Sequence, residues 1–371
     1  MRNDFSRRQT LRLALFTELF FPSVGGCERR FLLLSKWLVS RGHSVDVYTV
    51  RHDERLKAED DLYGIKIHRY TCGSNYVNAK HGTRSGSGVV NYALKTTAKV
   101  ILDRHDINYF SEWPLLHALL SVPFSSPYVQ EWCEIWTESI YYYEKLLSLF
   151  AKHNVATSEF TKSRLVRFFK VPESRVFVIP NPVESIPQGR VKKKYGRFIY
   201  TGRLVPHKHV DIIIRAFKII RARFPEAELH IVGTGPLKDE LKAISRGIEG
   251  VYIHGYLPDG ELMMLLESSY AFLLPSEREG EGISAIEAMM ARNVLLTADF
   301  PNNAAKDLVQ GTGLVVKPTP EAFAEAMTKI LSEEDEAKEM GERARSVAAK
   351  HDINVVGPMF ERYLLSVIEQ S

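Results

Sequence analysis

Two kinds of apolar pattern alternate along the chain. Residues 11–17 and 44–50 are mostly apolar runs of strand length. Between them, Phe31, Leu34 and Leu38 recur at helical spacing and predict a helix over 27–41, stopped by Gly42. A loop with Pro22, Gly25 and Gly26 joins the first strand to that helix. Strand, glycine loop, helix, strand is a βαβ unit, and it implies a parallel sheet. Residues 106–110 and 127–130 read as later strands of the same sheet.

The cycle restarts further on. Strands are predicted over 197–201, 228–232, 251–255 and 271–274, with helices over 210–224, 237–244 and 261–267 between them. Residues 320–350 carry two charged amphipathic helices, and 358–368 a last helix. The stretch IPNPVESIPQGRVKKKYG is rich in Pro, Gly and Lys and reads as a linker. The boundary is placed near Gly189. The expected domains are 1–188, 189–352 and a terminal helix over 353–371, within an α/β fold class.

Length agrees with two domains, since 371 residues exceed one ordinary core. A net charge of +4 is mild: it suits anionic small ligands or a loose membrane contact and gives no argument for nucleic acid. Cys27, Cys72 and Cys133 are odd in number and lack metal-type spacing, against a disulfide framework or structural zinc. A reducing, cytoplasmic compartment is the simplest expectation. The first residues lack a secretory apolar region, and no run of about 18 apolar residues predicts a membrane span.

The strongest chemical signal is REGEGISAIEAMMARN, directly after the strand at 271–274. Glu279 falls in the loop, and Glu287 in the first turns of a helix starting near Ile283 and Ser284. Gly280 and Gly282 let backbone N–H groups approach a ligand, and the helix start offers unpaired donors suited to a diphosphate. A carboxylate accepts hydrogen bonds from paired sugar hydroxyls, so one glutamate can hold a ribose and the other a transferred sugar. In a chain with 45 acidic residues the pair alone would mean little; its setting gives it weight. In YTGRLVPHKHVDIIIRAF, Arg203 follows a strand and Lys208 precedes a helix. Both belong at the C-terminal edge of the sheet, where open α/β folds bind ligands. Two cations there neutralise a leaving diphosphate without a metal; surface cations at a helix start remain the plain alternative. Gly25 and Gly26 could approach a phosphate or sugar, and equally serve a steric role. Gly233 lies in a Gly-Thr-Gly turn without the third glycine of the dinucleotide fingerprint and reads as a turn bordering a nucleotide.

The ordered set GG…E, NPV, GRLVPHK, IVGTGP, HGYLP and EGEGISAIEAM resembles the retaining GT-B glycosyltransferases of glycosyltransferase family 4, over most of the chain. The resemblance implies two Rossmann-like domains facing across a cleft, with the last helix crossing back to the N-terminal domain. By it, Arg203 and Lys208 contact a diphosphate, Glu279 meets the donor sugar and Glu287 the ribose. Tyr256 and Leu257 border the base, and Gly26 approaches the diphosphate. The implied donor is a UDP- or GDP-linked hexose-type sugar, and the acceptor a glycan, lipid-linked or small-molecule hydroxyl. No cofactor or metal is implied, and attack on the donor's front face retains configuration. A non-catalytic sugar-nucleotide-binding protein of the same fold is the alternative. A dehydrogenase lacks its fingerprint here, and a phosphorylase would need a pyridoxal lysine that sequence does not reveal.

Two departures stand out. In YVQEWCEIW, Cys133 occupies the place of the family histidine, which is associated with the donor sugar's outer hydroxyl. The sugar could lack that hydroxyl, Glu131 or Glu134 could substitute, or activity could be weakened; a reactive Cys133 is the least expected reading, since free cysteines are usually inert core. Asn293 and Asn302 or Asn303 stand where glycines are common, and asparagine tolerates left-handed backbone. Among remaining features, His117 and His153 read as structural, and His207 and His209 as loop residues able to touch phosphate. Tyr141–Tyr143 with Trp132 and Trp136 are expected to pack in the core, with sugar stacking or a lipid contact as the alternative. Arg2, Arg7, Arg8 and Arg12 could attract an anionic membrane surface or form a solvated tail.

Overall fold

A computed structural model describes residues 10–72, 76, 84–125, 127–135, 141–186 and 191–370. The chain divides into two units: residues 1–180 with 356–371, and residues 181–355.

The first unit comprises β1 (Arg12–Phe16), α1 (Gly26–Ser40), β2 (Ser44–Val50), β3 (Glu59–Leu62), β4 (Ile65–Tyr70), α2 (Gly86–Leu102), β5 (Ile107–Phe110), α3 (Leu115–Ser121), β6 (Tyr128–Trp132), α4 (Tyr141–Phe150), β7 (His153–Ala156), α5 (Glu159–Phe169) and β8 (Val176–Val178). The eight strands run β3-β4-β2-β1-β5-β6-β7-β8, parallel except for the antiparallel β3-β4 pair. β5 and β6 are buried at every position, as central strands of a covered parallel sheet must be. The acidic EDDL of β3 blunts one edge.

Gly25 caps α1 in extended conformation, where an added Cβ would meet the Glu28 carboxylate at 2.3 Å. The chain's last helix, α12 (Ile353–Glu369), starts before the expected Pro358, which sits inside it. Gly357 makes that run compatible with packing: a Cβ there would lie 2.3 Å from the Trp37 indole of α1. Phe360 meets Tyr109 edge-on, and Glu361 accepts hydrogen bonds from His43 and Trp37. Trp132 is buried as expected and donates to Asn154. Tyr142 and Tyr143 contradict the core assignment: they are 81% and 60% exposed, because α4 turns Leu147 and Glu144 inward instead. Trp136, Arg2, Arg7, Arg8 and Gly189 lie outside the described residues.

The division between the units falls after Pro180, ahead of the expected boundary at Gly189. The reason is a set of hydrogen bonds within the second unit. The Asn181 backbone and side chain both donate to Glu281, at 2.8 and 2.7 Å. Val183 N–H donates to His351 O, and Arg345 donates to Ile186 O. These contacts make 181–186 part of the second body rather than a free linker.

The second unit contains β9 (Arg197–Thr201), α6 (Val210–Arg221), β10 (Glu228–Val232), α7 (Lys238–Ser245), β11 (Val251–Gly255), α8 (Asp259–Ser268), β12 (Ala271–Leu274), β13 (Arg278–Glu279), α9 (Ile283–Met290), β14 (Val294–Ala298), β15 (Asn302–Asn303), β16 (Gly313–Val316), α10 (Pro320–Ser332) and α11 (Glu334–Ala348). Six strands pair in parallel in the order β11-β10-β9-β12-β14-β16. β9, β10, β11 and β12 coincide with the expected strands. Two short strands, β13 and β15, pair separately beside them.

Candidate functional site

The second sheet reverses direction of growth between β9 and β12: later strands are added on one side through β10 and β11, then on the other. That reversal is a switch point, where open α/β sheets bind ligands beyond the carboxyl ends of their strands. Strand order brings the expected residues to this one edge. Tyr256 and Leu257 follow β11, Gly233 follows β10, Arg203 and Lys208 follow β9, and Glu279 follows β12.

Lys208 and Glu279 meet directly, Nζ to Oε1 at 2.6 Å, with both side chains mostly buried. Lys208 ends a turn of 3-10 helix, and His209 caps α6 in left-handed conformation. Arg203 is exposed, and its guanidinium has no hydrogen-bond or ion-pair partner among the described residues. Burial and the cations Lys208, Arg278 and Arg203 push His207 down to about 3, so it is neutral at ordinary pH. Its carbonyl accepts from Glu277 N–H at 2.8 Å, tying the loop after β9 to the loop after β12.

The glycines divide by role. Gly282 has φ 95 and starts α9, whose N-terminus has no side-chain cap. Ile283 and Ser284 form its half-buried first turn, Gly280 precedes it, and Glu287 is half-buried one turn further along. Gly233 answers to sterics: at φ 149, a Cβ would lie 1.8 Å from Gly202 O. The turn packs on the loop after β9, with Leu204 N–H donating to Thr234 O at 2.8 Å. The asparagine expectation needs correction. In the turn after α9 the left-handed residue is Arg292, φ 62, and Asn293 instead donates its side chain to Leu266 O and Ala288 O. Asn303 has φ −103 and caps Ala305 N–H. Both asparagines work through their amides.

Sequence reasoning missed Glu281, the middle acid of the glutamate run, which clasps Asn181 and lies 3.8 Å from His351. Its alternation with glycine was visible; its partner, one hundred residues away, was not.

The first unit has its own switch point, between β1 and β5. Gly26 begins α1 after β1, Glu112 follows β5 and Cys133 follows β6. Glu112, also missed, accepts from Cys133 N–H and Glu134 N–H at 2.9 Å each. Its other oxygen is buried without a partner among the described residues, and burial holds the carboxyl well above the usual range. A carboxyl directly beyond a strand end was the available signal. Glu131 is fully buried and committed elsewhere: Arg30 donates to one oxygen at 3.0 Å and Tyr109 to the other. It is therefore unavailable as a replacement for the family histidine. The Cys133 thiol lies 3.0 Å from that of Cys27. His117 is buried between Pro114 O and Phe16 O, a structural placement.

Two family profiles match the halves in turn: Glycosyltransferase Family 4 over residues 24–185 and Glycosyl transferases group 1 over residues 183–347. The chain belongs to the GT-B glycosyltransferases. This GT-B chain is 24% identical to a glycosyltransferase of Methanocaldococcus jannaschii over 356 residues, covering 87% of the one and 90% of the other. It is 32% identical to the D-rhamnosyltransferase WbpZ of Pseudomonas aeruginosa over 155 residues, 40% of this chain and 39% of WbpZ. That match spans less than half of the relative's length. The crystal structure of HepE from Anabaena with UDP and glucose superposes with a TM-score of 0.74 at 16% identity, covering 96% of this chain and 100% of HepE. Among the described residues, no helix is long and apolar enough to cross a membrane.

Proposed function

We propose that this GT-B glycosyltransferase moves a hexose-type sugar from a UDP- or GDP-linked donor to a glycan or lipid-linked hydroxyl, with retention of configuration and without a metal. The observation that carries the reading is the edge beyond β9 and β12, which holds the mostly buried Lys208–Glu279 pair and an Arg203 that is exposed and has no hydrogen-bond or ion-pair partner among the described residues. As the bond from sugar C1 to the diphosphate oxygen breaks, the diphosphate leaves with the electron pair. Arg203 and Lys208 neutralise that charge. The acceptor oxygen bonds to C1, and its proton passes to the departing phosphate. Glu279, oriented by Lys208, accepts hydrogen bonds from the donor sugar, and Glu287 from the ribose. Tyr256, 59% exposed, supplies a face for the base, and Leu257 backs it. The uncapped start of α9 offers N–H donors to the diphosphate. HepE is described with UDP and glucose, which supports the donor class.

Cys133 refines the donor. A thiol is a weak hydrogen-bond donor, this one already faces Cys27, and Glu131 is taken. A donor sugar lacking its outer hydroxyl suits that surface, and WbpZ is named as a transferase of one such sugar, D-rhamnose. A panel of sugar nucleotides, assayed for nucleotide release with and without acceptor, tests the reading. We expect turnover with at least one donor, and 6-deoxy sugars favoured over their parent hexoses by about tenfold or more in kcat/KM. Donor-dependent thermal stabilisation without release or transfer would instead establish a non-catalytic binder.

A further inference from the structure

The two thiols at the first unit's switch point form a juxtaposition that goes beyond the part Cys133 takes in choosing the donor. Cys27 lies in the first turn of α1, directly after the Gly25–Gly26 turn, and is exposed. Cys133 lies directly beyond β6 and is half-buried. Their sulfurs are 3.0 Å apart, although 105 residues separate them in sequence. That gap is about 1 Å longer than a covalent S–S bond. Both backbones are anchored: Arg29 N–H donates to Gly25 O, and the N–H groups of Cys133 and Glu134 donate to Glu112. The third cysteine, Cys72, is buried and bonded to Tyr70 O, so it does not compete.

We propose that Cys27 and Cys133 are a reversible redox pair, closed by a low-molecular-weight disulfide such as oxidised glutathione, whose bond fastens the start of α1 to the segment after β6 and lowers sugar transfer. The exposed Cys27, as thiolate, attacks one sulfur of the oxidant and releases one reduced thiol, leaving a mixed disulfide on Cys27. Cys133 then loses its proton and attacks the Cys27 sulfur, and the second thiol departs. Two protein thiols are oxidised by two electrons, and one oxidant disulfide is reduced to two thiols. The closure brings the two sulfurs about 1 Å closer and ties the turn at Gly26 to the segment after β6, so that neither can adjust to a bound donor independently. The loss of transfer rests on the function proposed above; formation of the bond does not.

The test treats the full chain with oxidised glutathione, maps its disulfides by mass spectrometry under non-reducing conditions, and follows transfer before and after dithiothreitol. The expected product is two hydrogens lighter, with the Cys27 and Cys133 peptides joined. Transfer should fall at least tenfold and return on reduction. Cys27→Ser should transfer normally when reduced and lose no activity on oxidation. A stable glutathione adduct on Cys27, a bond to Cys72, or a bond only between two copies would overturn the pairing. A Cys27–Cys133 bond with transfer unchanged would overturn the switch. Absence of transfer in the reduced chain counts against the transferase reading, while the peptide map still decides the bond.

Discussion

Arg203 shows what a single side chain can contribute. It stands exposed beside a buried ion pair and is spent on no protein partner among the described residues, so its charge is available to a ligand. Arg203→Ala should therefore lower kcat by about 100-fold, the usual cost of removing one preorganised donor to a developing anion. The melting temperature should scarcely move, because the guanidinium has no hydrogen bond or ion pair among the described residues to lose. Lys208→Ala should cost similar turnover and also some stability, because it leaves the mostly buried Glu279 carboxylate unpaired. Equal loss of melting temperature in the two variants would contradict this division. The placement of Arg203, Lys208 and Glu279 on one sheet edge was legible, because each stands after a strand beside glycine or a helix start. Glu112 and Glu281 were not singled out, because their meaning lies in partners brought by the fold. The Cys133→His variant should retain or raise turnover with donors that carry the outer hydroxyl; abolished turnover with intact binding would show that Cys133 does not stand in the histidine's place.

At the scale of elements, place in the sheet did not decide which strands were readable: the edge strand β11 was found, and the fully buried β14 was not. β12 is an unbroken apolar run, β9, β10 and β11 each carry three apolar residues in five, and the limits of all four were found from sequence. β3 is acidic and β8 has three residues, so neither carries a periodic signal. β4, with its buried–exposed alternation, did carry one. The loops between strands are held by backbone contacts that only glycine permits. Gly233→Ala would force a Cβ into the Gly202 carbonyl at a backbone angle that disfavours side chains. The expected loss is about 2–4 kcal/mol of stability, with donor affinity reduced because the loop after β9 moves with it. Denaturant unfolding of the variant against wild type measures it; a midpoint within experimental error of wild type would mean that the turn relaxes freely.

For the whole molecule, buried ionisable groups set how stability follows pH, and two of them in the first unit act in opposite directions. Burial lowers His117 to about 4, and its neutral ring can donate to only one of the two carbonyls beside it. In the unfolded chain it titrates near 6.5, so between about 6.5 and 4 the unfolded state binds the extra proton and the native state loses stability as pH falls. Glu144 is also fully buried, with neither carboxyl oxygen hydrogen-bonded among the described residues, and burial raises it to about 8 despite nearby Arg164. Here the native state holds the proton that the unfolded chain releases near 4.5, so stability is lost as pH rises from about 4.5 to 8. Each slope is about 1.4 kcal/mol per pH unit. Between 4.5 and 6.5 the two cancel in wild type, and a flat profile there would reveal neither. Variants separate them. Relative to wild type, Glu144→Gln should gain stability progressively from pH 4.5 to 8 and hold level above it. His117→Asn should gain progressively as pH falls from 6.5 to 4, whatever constant offset its lost contacts impose. Because slope and not offset carries the argument, parallel stability curves for wild type and either variant would show that the group concerned titrates alike in the folded and unfolded chain.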